Sequence, residues 1–251
     1  MLFLYPKVWI VKILSAAPSN TEIIYKLGLE DQLVGTTSLC DHPAEALKKP
    51  SIGGWNQGLN YDKIDELNPD IILLSDSLQD RQASKLEENG YEILQVSPEN
   101  LEEVFDSILE IGRKFGREEK ASEIIDDMRS EIEKIDLKEK RIYCEEWMDP
   151  PMVSGNWIPG LIEKANGKYF IDEERSREFD IEKLKEFDPE YIFLNVCGAG
   201  ENIDPEKILE SPEWQDITAV KNEDVYVVDD ALLNRPGPRI VEGLKEIERN
   251  I

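Results

Sequence analysis

Side chains that commonly carry out catalysis or bind metal ions are scarce in this chain of 251 residues. His42 is its only histidine, and the three cysteines, Cys40, Cys144 and Cys197, are far apart in sequence. A zinc or manganese site needs several His, Cys or carboxylate ligands, so we do not expect direct capture of a metal ion. The cysteines form neither a disulfide framework nor a close-spaced zinc motif. We expect Cys40 and Cys197, which follow predicted strands, to be small buried side chains; the alternative is that their thiols face a ligand.

Sequence motifs of common enzymes are also missing. The chain contains no P-loop, no G-x-S-x-G elbow and no HExxH segment. The segment Gly198-Ala199-Gly200 follows a predicted strand, as a dinucleotide-binding loop would, but it lacks the third glycine of G-x-G-x-x-G. A single histidine leaves few candidates for a general base. The sequence therefore predicts a protein that is not an enzyme.

Two acidic residues, Asp62 and Glu182, occupy equivalent places in an internal repeat. The segment DKIDELNPDIILL, residues 62–74, returns as EKLKEFDPEYIFL, residues 182–194. Each copy predicts a short helix, a proline-containing turn and a buried strand. Each acid would then lie at a helix N-terminus, where a negative charge stabilises the helix by roughly 0.3 to 1 kcal/mol.

The repeat also indicates the fold class. A helix followed closely by a buried strand is half of the αβ unit from which parallel sheets are built. Further strands are predicted at 33–36, 92–96, 141–144 and 225–228, with helices between them and a loop over 145–156. We therefore predict an α/β fold of two Rossmann-like lobes with parallel central sheets. Two such lobes would leave a cleft in which a small ligand binds.

Helical spacing of apolar residues continues between the two repeat copies. Its second part, about 117–136, would form a helix about 30 Å long. It contains no flexible linker rich in Gly, Ser or Pro. We predict an N-terminal lobe at 1–116, one long rigid linking helix at 117–138 and a C-terminal lobe at 139–251.

The chain is strongly acidic. It has 54 Asp and Glu against 29 Lys and Arg, a net charge of -25. Such a chain would be repelled by nucleic-acid phosphates and by anionic membrane surfaces, so we expect neither as a partner. The acids and lysines of the helical segments are typical of a well-solvated surface.

The N-terminal segment MLFLYPKVWIVKI is apolar, but it lacks a basic start and is interrupted by Pro6 and Lys7. We interpret it as a first strand rather than a signal peptide. No stretch approaches the roughly 20 apolar residues of a membrane-spanning helix, so we expect no membrane insertion. The sequence as written predicts a cytoplasmic protein, and a longer precursor would predict an extracytoplasmic one.

Six segments carry a family resemblance. In chain order they are SAAPSNTEIIYKLGL, CDHP, GGWNQGLNYDKI, LNPDIILLS, DPPMVSGNWIPGLIEKANG and LNRPGPRIVEGL. From about Ile13 to its end, the chain resembles the substrate-binding proteins of ABC importers for cobalamin and ferric siderophores, most closely the cobalamin-binding members. The resemblance implies two Rossmann-like lobes joined by one rigid helix, a ligand held between them and no catalysis.

The resemblance also implies which loops face the ligand, namely those after Leu14, Thr37, Gly53, Glu146 and Asp230. The candidate ligand-binding residues in or beside these loops are Pro18, Leu39, Trp55, Trp147, Asn234 and Arg235. Trp55 and Trp147 could cover a flat corrin ring, and core packing is the alternative role of each. Arg235 could donate to corrin amides or to an anionic ligand, and an ion pair with an acid is its alternative.

In similar proteins an acid of each lobe meets arginines of the membrane permease, which gives Asp62 and Glu182 a predicted docking role. His42 is expected to be exposed or to cap a turn, and ligation of a corrinoid cobalt is the lesser alternative. The sequence predicts a solute-binding protein without an intrinsic cofactor that captures a corrinoid for an ABC importer. A ferric siderophore or haem binder of the same fold, or a cytoplasmic corrinoid-handling or sensing protein, are the alternatives.

Overall fold

A computed structural model describes residues 11–54, 58–172 and 174–251. By their contacts, the residues form two compact units, the first ending at Ser97 and the second beginning at Pro98. No helix in the described part of the chain combines the length and the apolar character needed to cross a bilayer.

The first unit contains a small parallel sheet flanked by helices. Its elements are β1 (Ile13–Ser15), α1 (Pro18–Lys26), β2 (Leu33–Thr36), β3 (Gly53–Gly54), β4 (Gly58–Leu59), α2 (Tyr61–Leu67), β5 (Ile71–Ser75), α3 (Asp80–Glu88) and β6 (Ile93–Val96). The strand order is β2-β1-β5-β6, and β1 is parallel to both of its neighbours. The strands β3 and β4 form a separate antiparallel pair. This unit therefore has the parallel sheet that the sequence predicted.

The second unit is larger. Its elements are α4 (Leu101–Lys114), α5 (Glu118–Glu133), β7 (Arg141–Met148), β8 (Pro151–Val153), α6 (Trp157–Lys164), β9 (Lys168–Tyr169), β10 (Arg177–Glu178), α7 (Ile181–Phe187), β11 (Tyr191–Leu194), α8 (Glu206–Leu209), α9 (Thr218–Lys221), β12 (Val225–Val227), α10 (Asp230–Leu233) and α11 (Ile240–Arg249). The strand β7 is parallel to β11 on one side, and β11 is parallel to β12. On its other side β7 meets β9 in parallel and then β8 antiparallel. The predicted parallel core is confirmed, with antiparallel strands added to it.

The predicted loop over 145–156 is wrong at residues 145–148 and 151–153, which belong to strands β7 and β8. The strand β7 continues to Met148 and pairs with β8, so that Trp147 lies opposite Met152. The sequence reasoning ended the strand at Cys144 because the apolar run stops there. In the structure the polar residues that follow are held by the neighbouring strand.

The two copies of the repeat have the same local structure. The helices α2 and α7 each end at a residue in the left-handed region, Asn68 (φ 46°) and Asp188 (φ 49°). A proline follows in both copies, and the strands β5 and β11 begin two residues later. Ile64 and Leu184 are fully buried at the same place in each helix. The predicted helix, turn and strand are therefore confirmed in both copies.

The helix α5 covers most of the predicted linking segment, and its 16 residues span about 24 Å. It packs against α4 where Gly112 leaves no room for a larger side chain beside Ala121. Contacts place α4 in the second unit, whereas the sequence placed the end of the N-terminal lobe at residue 116. The linking role of the segment 117–138 stays a prediction.

Candidate functional site

Buried polar side chains fix the carboxyl edge of the first sheet, the edge at which open α/β sheets usually bind ligands. Thr21 donates to Ser15 at 2.8 Å, and Asn20 donates to the carbonyl of Leu74 at 2.9 Å. The Gln79 side chain joins the ends of β1 and β5, because it donates to Ala16 O and accepts from Ser75 N. The loops after these two strands are therefore fixed by specific hydrogen bonds rather than by apolar packing alone.

Apolar side chains are exposed beside this network. Leu39, in the loop after β2, is 45% exposed, and Leu78, in the turn after β5, is 65% exposed. Pro18 is half-buried as the first residue of α1, where its missing N–H is not needed. Trp55 lies outside the described residues. This edge thus offers aliphatic surface, and Leu78 was not among the residues predicted from sequence.

The indole of Trp147 is the main exposed aromatic group at the carboxyl edge of the second sheet. It is 46% exposed, and its Nε1 donates to the carbonyl of Asp149 at 2.9 Å. The alternative role as a core residue is therefore excluded, and the hydrogen bond satisfies the polar atom of the ring. The exposed ring could cover a flat apolar ligand.

A buried amide network lies at the same edge. Asn195 is fully buried after β11, and its Nδ2 donates to Ser154 at 3.0 Å and to Asn234 Oδ1 at 2.5 Å. Asn234 donates in return to the carbonyl of Asn195 at 2.8 Å. Both ends of the Asn234 amide are thus used within the protein. Asn234 fixes the loop that contains Arg235, and Arg235 is half-buried directly after it.

The Gly198-Ala199-Gly200 loop, considered above as a dinucleotide site, has a different use. Its two glycines have φ of 76° and 56°, and their N–H groups donate to the two carboxylate oxygens of Asp230 at 2.9 and 2.8 Å. The donors that a phosphate would need are therefore engaged by a side chain of the protein.

The cysteines differ in their surroundings. Cys40 is buried, as expected, but Cys197 is exposed, so its predicted burial is wrong. Apolar strand β11 ends at Leu194, and Cys197 already belongs to the following loop. Partial burial of the sulfur, with the negative charges of Glu146 and Asp230, raises the pKa of the Cys197 thiol.

A carboxyl group, Glu145, is buried behind this edge in β7. Its relative exposure is 0%, Tyr143 donates to its Oε2, and its Oε1 has no hydrogen-bond partner among the described residues. Burial raises the pKa of Glu145 to about 8, although the hydrogen bonds from Tyr143 and the Met152 backbone lower it in part. The group is therefore mostly protonated, and hence mostly neutral, at pH 7.

The acids of the repeat lie on exposed helix starts. Asp62 is exposed in the first turn of α2, and Glu182 is exposed in the first turn of α7, where Lys185 pairs with it at 2.8 Å. Asn60 and Asp180 cap these helices through their side chains. The two acids thus have equivalent and accessible positions, while their docking role stays a prediction.

Metal binding by the protein itself has no support in the described residues, which contain no group of three or more His, Cys, Asp or Glu able to hold an ion. His42 is exposed and precedes Pro43 in the loop after β2. A role of His42 as a cobalt ligand stays a prediction.

A solvent-open groove between α4, α5 and α6 contains none of the predicted site residues. In this groove the Glu102 carboxylate forms ion pairs with Lys164 at 3.0 Å and with Arg129 at 2.7 Å. The Arg129 guanidinium also lies over the ring of Phe105. The hydrogen bond from Lys164 is the main reason why the pKa of Glu102 is lowered. Because the two carboxylates that line the groove, Glu102 and Glu133, balance its two cations, we do not regard the groove as the ligand site.

Sequence reasoning missed two kinds of residue at these edges. Leu78 stands as a single apolar residue in the polar turn SDSLQD, and Asn195 as a single amide after the apolar run YIFL. Each departure from the local pattern was a usable signal. The partners of Asn195, Ser154 and Asn234, could not be predicted because they are about 40 residues away on both sides.

Each of the two α/β units exposes apolar side chains at the carboxyl edge of its sheet, the edge at which open α/β sheets usually bind ligands, and this arrangement suits the binding of a small molecule. A family model described as "Periplasmic binding protein" matches residues 13–232. The chain belongs to this family.

Individual relatives agree with this class. The Bacillus subtilis (strain 168) ABC transporter substrate-binding lipoprotein YvrC is 30% identical over 96% of this chain and 79% of its own length. The vitamin B12-binding protein of Vibrio vulnificus (strain CMCP6) is 25% identical over 95% of this chain and 89% of its own. A crystal structure of a possible iron-binding, periplasmic solute-binding protein from Staphylococcus epidermidis has a TM-score of 0.81 and 26% identity, covering 95% of this chain and 97% of that one. The protein is the solute-binding component of an ABC importer and is not an enzyme.

Proposed function

We propose that the protein binds a corrinoid and delivers it to the permease of its importer. The observation that carries the proposal is the exposed indole of Trp147 at the carboxyl edge of the second sheet. A corrin is a large, flat and mostly apolar ring that such a face can cover. The vitamin B12-binding relatives, at 25% identity, support the same ligand class.

The first unit supports the proposal through its exposed aliphatic groups. Leu39 and Leu78 are exposed at the carboxyl edge of that unit's sheet, and burial of their side chains by an apolar ligand would contribute roughly 25 cal/mol per Å². A ferric chelate is the second candidate, favoured by the relative from Staphylococcus epidermidis, whose description is possible iron binding. Haem is tested beside these ligands because, like a corrinoid, it is a flat metal chelate.

Calorimetric titration of the purified protein tests the ligand class. Cobinamide and cyanocobalamin are compared with haemin and a ferric hydroxamate under the same conditions. We expect one-to-one corrinoid binding, with quenching of tryptophan fluorescence. Binding of the iron chelate or haemin with no response to either corrinoid would overturn the corrinoid assignment and leave the solute-binding class intact.

Substitution of Trp147 locates the ligand. We expect Trp147→Ala to weaken cobinamide binding at least about tenfold, or ~1.4 kcal/mol, because the covering ring is lost. Trp147→Phe keeps an aromatic face and should retain most of the affinity. Because the side chain is half exposed, the free energy of unfolding should change by less than about 1 kcal/mol in either variant. Affinities of both variants equal to that of the unmodified protein would exclude Trp147 from the site.

A further inference from the structure

We propose that Asp230 is a positioning residue of the ligand site, which fixes the rim formed by the loops after β11 and β12. The inference rests on the proposed function, since the ligand is taken to bind at this rim. The supporting geometry is a pair of hydrogen bonds over a long sequence distance. Gly198 N–H and Gly200 N–H donate to Asp230 Oδ2 and Oδ1 at 2.9 and 2.8 Å.

The loop is shaped to receive an anion. Successive N–H groups in turns with left-handed residues converge and form a concave site for negative charge. Gly198 and Gly200, with φ of 76° and 56°, supply such a turn, and each glycine uses a separate oxygen of the same carboxylate. Charge-assisted hydrogen bonds of this type are stronger than neutral ones. The Asp230 side chain is thus the anion that this turn binds.

Residues at both ends of the short helix α10 bind the loop that follows β11. Asp230 is the first residue of α10, and its carboxylate binds the glycine turn. Asn234 directly follows the last residue of α10 and exchanges hydrogen bonds with Asn195, which precedes the glycine turn in sequence. Between these two attachments lies Cys197, and Arg235 follows the second. The loop after β11 and the start of the Arg235 loop are therefore held as one rigid rim.

This arrangement has a consequence for ligand chemistry. Because an internal carboxylate already occupies the N–H donors, a phosphate or carboxylate of the ligand cannot use them. Glu146 and Asp230 also place negative charge near Cys197. The rim therefore favours a ligand whose nearby groups are neutral or cationic, such as the amide side chains of a corrinoid, over one that places an acidic group here.

Asp230→Asn is the direct test, because it keeps the size of the side chain and removes its charge and one acceptor. We expect about tenfold weaker cobinamide binding and faster hydrogen exchange at the Gly198 and Gly200 amides. Cys197, as the exposed cysteine of the three, reports on the charge in the ligand-free protein. We expect the midpoint of its alkylation by iodoacetamide to move to lower pH, since a nearby negative charge is lost.

Asp229→Asn is the matched control. Asp229 carries the same charge and caps α10 through Ala231 N at 2.9 Å, but the glycine turn does not use it, and Asn caps a helix equally well. A second variant, Gly198→Ala, strains the turn at φ 76° without changing the charge. It should weaken cobinamide binding and leave the Cys197 alkylation midpoint unchanged, because the charges near the thiol stay the same.

The outcomes separate the two proposals. Unchanged cobinamide affinity in Asp230→Asn, or weaker affinity with full protection of both glycine amides, would overturn the positioning role. If the unmodified protein binds neither corrinoid, the proposed ligand is wrong. Hydrogen exchange at the Gly198 and Gly200 amides, which needs no ligand, then still decides whether Asp230 holds the rim.

Discussion

The side chain of Glu145 illustrates how completely its surroundings can reverse the ordinary behaviour of a residue. It lies in β7 with no exposed surface, beside the hydroxyl group of Tyr143. Removal from water disfavours the charged carboxylate, and this effect outweighs the stabilising hydrogen bonds, so that the pKa is raised to about 8. In a chain with 54 acids, this one is expected to be uncharged at neutral pH.

Glu145 predicts a specific pH dependence of stability. Its folded pKa lies above its unfolded value, so its contribution is fully present below about pH 4.5 and is lost as the pH rises through about 8. Between pH 5.5 and 7.5 the free energy of unfolding should fall by about 1.4 kcal/mol per pH unit from this group. Glu145→Gln stays neutral and should remove that slope.

Urea unfolding at several pH values from 5 to 9 measures the effect. The control is Glu178→Gln, which removes an exposed acid from β10 and should keep the slope of the unmodified protein. A Glu145→Gln variant with the same pH dependence as this control would show that Glu145 is ionised in the folded protein.

Among the elements, α2 and α7 show that equal local structure can have different tertiary contacts. Asn68 and Asp188 end these helices in the same left-handed conformation. The Asp188 carboxylate also accepts hydrogen bonds from Thr218 N and Thr218 Oγ1, both at 2.8 Å. Only the second copy of the repeat therefore ties its turn to the start of α9 through this side chain.

Substitution of these two residues by glycine separates the local role from the tertiary one. Glycine accepts the left-handed conformation, so Asn68→Gly should change the free energy of unfolding by less than about 1 kcal/mol. Asp188→Gly keeps the helix end but leaves both donors of Thr218 without their acceptor, and we expect a loss of about 1 to 3 kcal/mol. Urea unfolding of the two variants makes the comparison. Equal changes would mean that the Thr218 hydrogen bonds contribute nothing.

Docking on the importer depends on the charge of the whole molecule as well as on individual residues. The net charge of -25 attracts any basic partner over a broad surface, so a specific role of two acids must be distinguished from general attraction. Asp62 and Glu182 are exposed in equivalent first turns. We expect the double variant Asp62→Lys, Glu182→Lys to bind ligand normally but to need at least about fivefold more protein to stimulate the importer ATPase, roughly 1 kcal/mol of weaker docking.

The repeat provides a control of identical charge. Glu66 and Glu186 are exposed and equivalent on the same two helices. Each replacement of an acid by lysine adds two positive charges, so both double variants carry -21 instead of -25. Stimulation of a reconstituted importer by the Glu66→Lys, Glu186→Lys variant should stay close to that of the unmodified protein. A similar loss in both double variants would show that only the overall charge matters.

Patterns within a short segment allowed much of this molecule to be predicted. The repeat, its proline turns and its apolar runs predicted α2, β5, α7 and β11, because helix ends and buried strands depend on neighbouring residues. Alternation of helices and strands predicted the parallel sheets. Six ordered segments indicated the family, and a family match over residues 13–232 confirmed it.

Features that depend on distant residues were decided by the tertiary structure alone. The hairpin of β7 and β8 is a local exception: a two-residue turn, Asp149 and Pro150, joins the strands and their pairing extends β7 past Cys144 to Trp147, yet the sequence analysis predicted a loop there. The charge state of Glu145 follows from its burial in β7, where it lies opposite Leu194 of the sequence-distant strand β11. Asp230 meets Gly198 and Gly200 only because β11 and β12 are adjacent in the sheet. Sequence determined which elements form and to which family they belong, whereas long-range packing determined which side chains are exposed, neutral or held at the rim.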